Sequence, residues 1–357
     1  MENKIGAGII GAGAISNFHA NGYLKDKRVR IVAVCDVIEE KAKEKAKKWG
    51  ASKWFTDSNN LMEDKEIDAV SICLPPYLHA QVAVAAAEAG KHILVEKPMA
   101  PTLKECDEII EASDRSKVKL MVGHNQLFFP PIREARRLVE SEIGKPLMLV
   151  TRLHSGFRIG GWRSDAKIAG GGFLMEAGIH NLYVSRFLMG EAERISSMIG
   201  KLSPNLLVED LAMVCMEFKN GSYGSLIANC GGTFPLWDDR TEIIGTKGMV
   251  IINGVEAQIM TGPPLLFYRD GQWKLYCRKW VPAEMKEEMP EKAEEVKFTA
   301  NEIEADWSRT FVYETQHFVD SIVNDTTPAV SGEDGKKTIQ LIRASYESAE
   351  KGVAVCL

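Results

Sequence analysis

Residues 5–16, IGAGIIGAGAIS, join a short apolar run to a glycine-rich turn and to the beginning of a helical pattern. The run Ile5–Ile10 has the length and composition of a buried strand. The helical pattern then continues through His19, Tyr23 and Leu24. The order of strand, tight turn and helix is the one that opens a nucleotide-binding βαβ unit.

The turn carries the residue types that a pyrophosphate site needs. Gly11 lets the chain turn sharply, and Gly13 lets the backbone approach the phosphates. The helix that follows offers N–H groups without intrahelical partners to the negative charge, so we expect cofactor contacts at Gly11, Gly13, Ala14 and Ile15. Ser16 stands where a third glycine is common, and its small side chain can still pack against the strand.

A second buried run, Val29–Cys35, ends at Asp36. This position is close to the offset of about 20 residues at which a carboxylate accepts hydrogen bonds from the adenosine ribose. The carboxylate would repel a 2′-phosphate, although Lys41 or Lys43 could soften that repulsion. The sequence therefore predicts NAD in preference to NADP. The alternative is that Asp36 only caps a helix.

The alternation of helices and strands continues to residue 123, with helices predicted at 39–49, 79–89 and 103–116 and strands at 69–74, 92–96 and 120–123. Such alternation is typical of a doubly wound parallel sheet, whose ligands lie at the carboxyl ends of the strands. We therefore expect further cofactor contacts from residues near those ends: Leu74, Pro75, His79, Glu96, Lys97 and Asn125. Gln126 is expected to contact substrate, and the alternative for His79 is that it only begins a helix.

Beyond residue 123 the apolar pattern changes to a period of two, apart from helices predicted at 132–141, 313–324 and 336–351. Three turn signals separate strand-like runs: Asn220-Gly221, Thr246-Lys247-Gly248 and Asp270-Gly271. We predict a Rossmann domain over residues 1–123 and an α+β domain with an open-faced, mostly antiparallel sheet over 124–357. The free face of that sheet predicts a homodimer or homotetramer.

Composition excludes several classes of protein. The net charge of -5 and the absence of a basic stripe argue against a nucleic-acid partner. Seven scattered cysteines never form a C-x-x-C pair, so neither a disulfide framework nor a metal site is expected. The sequence shows no signal peptide and no apolar run of about 18 residues, which predicts a cytoplasmic protein without a membrane partner.

Residues 170–180, GGGFLMEAGIH, end in a histidine that has an expected partner in Lys97. Oxidation of an alcohol needs one group to hold the oxygen and another to move its proton, and imidazole, with an unperturbed pKa near 6.5, suits the second role. We predict Lys97, His180 and Glu176 as catalytic residues. The same residues, with Arg158, Trp162 and Arg163 upstream, are the predicted substrate contacts.

Four motifs in order give the chain a resemblance to the glucose-fructose oxidoreductase and inositol dehydrogenase family, Gfo/Idh/MocA. They are the glycine turn, residues 89–98 (AGKHILVEKP), residues 170–180 and residues 331–335 (SGEDG). The resemblance covers nearly the full length. It implies a Rossmann domain, a C-terminal domain with an open-faced sheet, and hydride transfer between NAD(P) and a secondary alcohol or ketone of a sugar, cyclitol or related polyol.

The resemblance also implies roles for individual residues. Lys97 matches the family lysine that contacts nicotinamide ribose and substrate, His180 matches the catalytic histidine, and the Lys97-Pro98 peptide is implied to be cis. Glu176 stands where the family usually has aspartate and keeps the charge. Tyr183 stands where an aspartate is frequent, so the resemblance does not specify an inositol substrate.

Two other functions are compatible with a nucleotide fold. An enzyme could use tightly bound NAD transiently, oxidising a ring carbon to assist glycoside cleavage or epimerisation and then returning the hydride. A non-catalytic sensor could keep the fold for regulation, but such a protein would have little need for both Lys97 and His180. The charged segment 282–297 is either a solvated excursion or a substrate lid.

Overall fold

The computed structural model describes residues 4–156, 159–232, 238–253, 263–278, 297–303 and 305–357. The chain forms two compact units. The first unit contains the residues up to Asn125 together with Asp165–Gly170 and Ser308–Gln340, and the second contains Gln126–Ser164, Gly171–Trp307 and Leu341–Leu357. The division predicted at residue 123 did not include the two later segments of the first unit.

The first unit is built on a parallel sheet with the strand order β3-β2-β1-β4-β5-β6, which confirms the predicted doubly wound fold. Its elements up to residue 123 are β1 (Ile5–Ile10), α1 (Ser16–Lys25), β2 (Val29–Cys35), α2 (Glu39–Trp49), β3 (Lys53–Phe55), α3 (Ser58–Met62), β4 (Ala69–Ile72), α4 (His79–Glu88), β5 (His92–Glu96), α5 (Leu103–Ser116) and β6 (Leu120–Gly123). The short elements β3 and α3 were not predicted.

The second unit contains a ten-stranded sheet with the order β15-β14-β13-β12-β11-β7-β10-β9-β8-β16. The elements that follow β6 in the chain are α6 (Pro130–Ser141), β7 (Pro146–His154), α7 (Ala166–Ala169), a π-helix (Leu174–Gly178), α8 (Ile179–Met189), β8 (Ala192–Gly200), β9 (Leu211–Phe218), β10 (Tyr223–Asn229), β11 (Asp238–Gly245), β12 (Gly248–Asn253), β13 (Leu265–Arg269), β14 (Gln272–Arg278), β15 (Lys297–Ile303), α9 (Ser308–Val323), α10 (Gly332–Lys351) and β16 (Val355–Cys356). Of these, α7, α9 and the beginning of α10 belong to the first unit.

All three predicted hairpins are confirmed, because β9 pairs with β10, β11 with β12 and β13 with β14 in antiparallel register. Two neighbouring pairs are parallel, β7 with β10 and β14 with β15, so the sheet is mostly but not wholly antiparallel. Burial alternates along β9, where Val214 is buried and Met213 is 44% exposed. One face of the sheet is therefore apolar and covered, as α8 packs on β7 and β10.

The strand β1 owes its central place to small and β-branched residues, since Ala7 and Ile9 are fully buried between β2 and β4. The helix α9 packs on α1, where a Cβ on Gly22 would lie 1.9 Å from Thr315 Oγ1. A glycine at that position is what allows the two helices to approach so closely.

No helix in the described part of the chain combines the length and the apolar character that a bilayer span requires. Most of the charged segment 282–297 lies outside the described residues, so whether it is a lid or a solvated excursion stays a prediction.

Candidate active site

The glycine turn after β1 has the geometry that the sequence predicted for it. Gly11 has φ of +98°, and a Cβ there would lie 2.3 Å from Cys73 O, so only glycine fits. A Cβ on Gly13, by contrast, would have no atom within 4 Å. The backbone at Gly13 thus faces open space, as a residue must if a pyrophosphate is to lie against it.

The start of α1 is organised around the same turn. Ser16 is fully buried and its Oγ donates to Gly13 O at 2.6 Å, so the residue in the third glycine position stabilises the turn. Ile15, at the N-cap, makes no side-chain capping bond. A helix N-terminus without a side-chain cap is a suitable place for an anion, and the binding of dinucleotide phosphates there stays a prediction.

Asp36 connects the turns that follow the two adjacent strands β1 and β2. One carboxylate oxygen accepts from Ala12 N at 2.8 Å and the other from Ile38 N at 2.9 Å. A carboxylate has about four lone-pair sites, so both oxygens keep capacity to accept ribose hydroxyls. These contacts fit NAD and also show a backbone-anchoring role, close to the capping alternative that the sequence left open.

His79, a predicted cofactor contact, is fully buried and its side chain faces two backbone carbonyls. Nδ1 lies 2.8 Å from Pro98 O and Nε2 lies 2.8 Å from Leu74 O. Burial lowers the pKa of His79, although both carbonyls favour the charged ring. The imidazole therefore lies between the loop after β4 and the loop after β5, and in its neutral form it donates to only one of the two carbonyls. Any cofactor contact by His79 or by its neighbours Leu74 and Pro75 stays a prediction.

Glu96 ends β5 and turns its side chain into the first unit, where it is 5% exposed. His19 Nε2 lies 2.8 Å from Glu96 Oε1, and Lys97 N donates to Glu96 Oε2 at 3.1 Å. The next residue, Lys97, is half-buried, and the Lys97-Pro98 peptide is cis, as the resemblance implied. A buried carboxylate thus fixes the backbone from which the lysine side chain projects.

Asn125 and Gln126 follow β6 and are both buried. Asn125 Nδ2 donates to Thr310 Oγ1 on α9 at 2.8 Å, within the first unit. The partition of the chain places Gln126 in the second unit. Their contacts with cofactor and substrate stay predictions.

The second unit brings together three of the predicted substrate residues. Arg163 Nε donates to Glu176 Oε1 at 2.8 Å, and the Arg163 guanidinium lies 4.2 Å from the ring centroid of Trp162. Both members of the ion pair are partly exposed, at 37% and 19%. Another predicted substrate residue, Arg158, lies outside the described residues.

His180 lies in the first turn of α8 and is buried, and Glu176 lies in the π-helix that precedes it. Sequence reasoning missed the π-helix, which lies between the glycine run and α8. The next residue, Asn181, donates through Nδ2 to Asp239 Oδ1 at 2.9 Å and to Thr151 Oγ1 at 3.1 Å. These bonds anchor the histidine-bearing turn to β7 and β11.

The glycines before this helix are required by packing. A Cβ on Gly172 would lie 2.2 Å from Glu209 O, and one on Gly171 would lie 2.1 Å from Tyr346 Oη. The Glu209 carboxylate accepts from Leu174 N at 3.2 Å and from the Tyr346 hydroxyl at 2.7 Å, and burial raises its pKa. Sequence reasoning missed both residues, since nothing local marks a glutamate 35 positions away as the partner of Leu174.

Comparison with known families agrees with this geometry. Residues 5–124 match the model of an oxidoreductase family with an NAD-binding Rossmann fold, and residues 136–357 match the model of an oxidoreductase-family C-terminal alpha/beta domain. The chain therefore belongs to the Gfo/Idh/MocA oxidoreductases. Its predicted class, an NAD-binding oxidoreductase, is confirmed.

Relatives of established name cover nearly the whole chain. The myo-inositol 2-dehydrogenase of Thermotoga maritima is 28% identical over 98% of both chains. The scyllo-inositol 2-dehydrogenase (NAD(+)) of Bacillus subtilis is 27% identical over 100% of this chain and 97% of its own. The crystal structure of aldose-aldose oxidoreductase from Caulobacter crescentus, complexed with glycerol, superposes with a TM-score of 0.83 at 25% identity, over 99% of this chain and all of the other.

Proposed function

We propose that the protein is an NAD-dependent dehydrogenase that acts on a secondary alcohol of a sugar, cyclitol or related polyol. The observation that carries the proposal is a pair of side chains whose backbone is held by hydrogen bonds. Lys97 follows Glu96, whose carboxylate accepts Lys97 N, and His180 begins a helix that Asn181 anchors to Asp239. Relatives of the same length named as inositol dehydrogenases support this choice of substrate class.

NAD, when bound, supplies the hydride acceptor for such a reaction. The glycine turn and Asp36 are the residues that would hold it, through backbone N–H groups and through the ribose respectively. We assign to His180 the acceptance of the hydroxyl proton as the carbinol carbon is oxidised, and to the Lys97 side chain a hydrogen bond donated to a substrate oxygen. In the reverse direction His180 returns that proton to the carbonyl oxygen.

The Arg163 and Glu176 pair suits a substrate that carries several hydroxyls. Arginine only donates hydrogen bonds and an ionised carboxylate only accepts them, so together they can bind adjacent hydroxyls that differ in orientation. Tyr183 is 3% exposed and brings no carboxylate to the site. We therefore assign a polyhydroxylated substrate without assigning an inositol.

Asp36 leads us to assign NAD in preference to NADP, since the carboxylate would repel a 2′-phosphate. A homodimer or homotetramer formed through the open face of the second unit's sheet is part of the same proposal. Large apolar side chains on that face are well exposed, including Met198 at 74% and Tyr223 at 58%. A cytoplasmic location stays a prediction.

A substrate panel tests the proposal. Sugars, uronic acids and cyclitols are incubated with NAD⁺ and, in parallel, with NADP⁺, and absorbance of the reduced nicotinamide is followed. Accumulation of NADH with at least one polyol at steady state is the expected result. Turnover of a glycoside or epimer without NADH accumulation would instead support transient use of tightly bound NAD. NAD binding without turnover of any compound would favour the sensor.

A further inference from the structure

We propose that His19 and His79 are positioning residues for Lys97, each holding one side of the Glu96-Lys97-Pro98 segment. The inference rests on the proposed role of Lys97 in hydride transfer and assigns two residues of the first unit to that site. Both histidines are fully buried and so cannot contact a substrate through an exposed edge.

The first of these contacts is made by His19 with Glu96, the residue before Lys97. His19 Nε2 lies 2.8 Å from Glu96 Oε1, and His19 Nδ1 lies 3.1 Å from Ser71 Oγ, which in turn lies 2.7 Å from Tyr23 Oη. One order of donors satisfies every group: Tyr23 donates to Ser71, Ser71 to His19, and His19 to the carboxylate. The other Glu96 oxygen accepts a hydrogen bond from Lys97 N, so this series of hydrogen bonds ends at the lysine backbone.

Glu96 has a reason to need this partner. The buried carboxyl of Glu314 on α9 lies close enough for the charge of Glu96 to raise its pKa. A carboxylate beside a second carboxyl in a dry environment is costly unless it is hydrogen-bonded. His19 provides that bond, and without it we expect Glu96 to turn away and release Lys97 N.

The second contact is made by His79 with Pro98, the residue after Lys97. His79 Nδ1 lies 2.8 Å from Pro98 O, and Nε2 lies 2.8 Å from Leu74 O. A neutral ring donates through one nitrogen only, and the Nδ1–H tautomer donates to Pro98 O, so the ring holds the residue that follows Lys97. The lysine is thereby held from both sides by bonds that a misplacement of the segment would break.

Asparagine and glutamine provide matched tests, because an Asn amide lies about where Nδ1 lies and a Gln amide about where Nε2 lies. His19→Gln keeps a donor for Glu96, and His19→Asn removes it. His79→Asn keeps a donor for Pro98 O, and His79→Gln removes it. His92, at the other end of β5, accepts Lys119 N at 2.9 Å and serves as the control in His92→Gln.

Each variant is assayed for kcat with the best polyol, for the Kd of NAD and for melting temperature, alone and in a Lys97→Met background. The link-breaking variants His19→Asn and His79→Gln are expected to lose about 10- to 100-fold in kcat. Their link-keeping partners should lose at least about tenfold less, with NAD Kd and melting temperature similar within each pair. In the Lys97→Met background, the two members of each pair should become equal.

A second readout does not depend on turnover. A brief pulse of acetic anhydride, followed by mass spectrometry, gives the labelling of the Lys97 amine relative to Lys104, whose side chain is 87% exposed. The ratio should change in the link-breaking variants and not in His92→Gln. Glu96→Gln, which alters the His19 bond from the other side, replaces His19→Asn if that variant does not fold.

The positioning role would be overturned if the two variants at one histidine lost the same factor in kcat, or if the difference between them were undiminished in the Lys97→Met background. Either result would leave the dehydrogenase assignment intact. An unchanged labelling ratio would do the same in the absence of any substrate. Failure of the dehydrogenase assignment is separate, because it would leave the labelling differences in place while no polyol is oxidised.

Discussion

Arg163 Nε lies 2.8 Å from Glu176 Oε1, and Glu176 lies four residues before His180. The pair is partly exposed, so its contribution to folding stability is small, of the order of 0–1 kcal/mol. We therefore assign this ion pair to substrate binding and expect it to contribute little to stability.

Replacement of Arg163 should therefore change substrate affinity first. We expect Arg163→Gln to raise the KM for polyol about 10-fold or more while the Kd of NAD stays unchanged, since one charge-assisted hydrogen bond is lost. Steady-state kinetics and a fluorescence titration with NADH measure the two quantities. Arg152→Gln is the matched control, because its Nε donates to Asp238 at 2.9 Å in the same unit. Equal effects of the two substitutions on KM would contradict the assignment.

Loss of the base should reduce the rate of the chemical step. His180→Ala is expected to lower kcat about 10²- to 10⁴-fold, which is the usual contribution of a positioned acid-base group. Single-turnover measurements with saturating NAD⁺ report the step directly. Because His180 is buried, the melting temperature of the variant must be compared with that of the native protein. A kcat within about twofold of native would remove His180 from the mechanism.

Asp36 should determine the preference between the two dinucleotides. Asp36→Ala removes the charge that repels a 2′-phosphate, and we expect the ratio of Kd values for NADP⁺ and NAD⁺ to narrow. The substitution also leaves Ala12 N and Ile38 N without their acceptor, at a cost of about 1 kcal/mol in stability. Asp57→Ala, which removes a similar cap at Asn59 N, controls for that loss. An unchanged ratio would show that Asp36 acts only on the backbone.

Glu314 should make stability depend on pH. The residue is fully buried, and neither carboxylate oxygen has a hydrogen-bond partner within the described residues. Burial first, and then the charge of Glu96, raise the pKa of Glu314 well above its usual value. For an acid with a raised folded-state pKa, stability is complete below the ordinary value near 4.5 and falls as pH rises towards the folded-state value.

Glu314→Gln removes that titration and keeps the shape of the side chain. We expect the variant to equal the native protein near pH 5 and to become progressively more stable than native above it, by about 1–3 kcal/mol at alkaline pH. Urea unfolding at pH 5, 7 and 9 measures the difference. A constant offset between the two proteins across that range would show that Glu314 does not titrate.

Tyr346 should stabilise the helix that carries His180. Tyr346→Phe removes the hydroxyl that lies 2.7 Å from Glu209 Oε1, and the partly buried carboxylate loses a donor. We expect a loss of about 1–3 kcal/mol in the free energy of unfolding. Tyr276→Phe removes a longer bond of 3.2 Å to Glu134 and should cost less. The reverse order of the two losses, measured by urea unfolding, would contradict this account of Glu209.

The sequence predicted those features whose cause is local. The glycine turn, the strand ends at Asp36 and Glu96, and the Asn220-Gly221 and Asp270-Gly271 hairpins each follow from residues within one short window. The ribose-binding role of Asp36 was predicted from its sequence distance to the glycine turn alone.

Features that depend on distant partners could not be predicted in this way. The three-residue strand β3 is too short to show a period, and the π-turn before His180 depends on packing against Glu209 and Tyr346. His19 looked like one residue of a helix, and its bond to Glu96 spans 77 positions. A tertiary contact of that kind produces no regular spacing of residues from which it could be predicted.

The return of α9 to the first unit has a consequence for biosynthesis. Asn125 and Thr310 are 185 positions apart, and Gly22 packs against Thr315 on the same late helix. When the first 125 residues have left the ribosome, α1 still lacks the helix that buries one of its sides. The first unit can therefore complete its folding only after α9 has been synthesised. Such a high separation between contacting residues slows folding, and nascent chains stalled before α9 should be the preferred clients of chaperones.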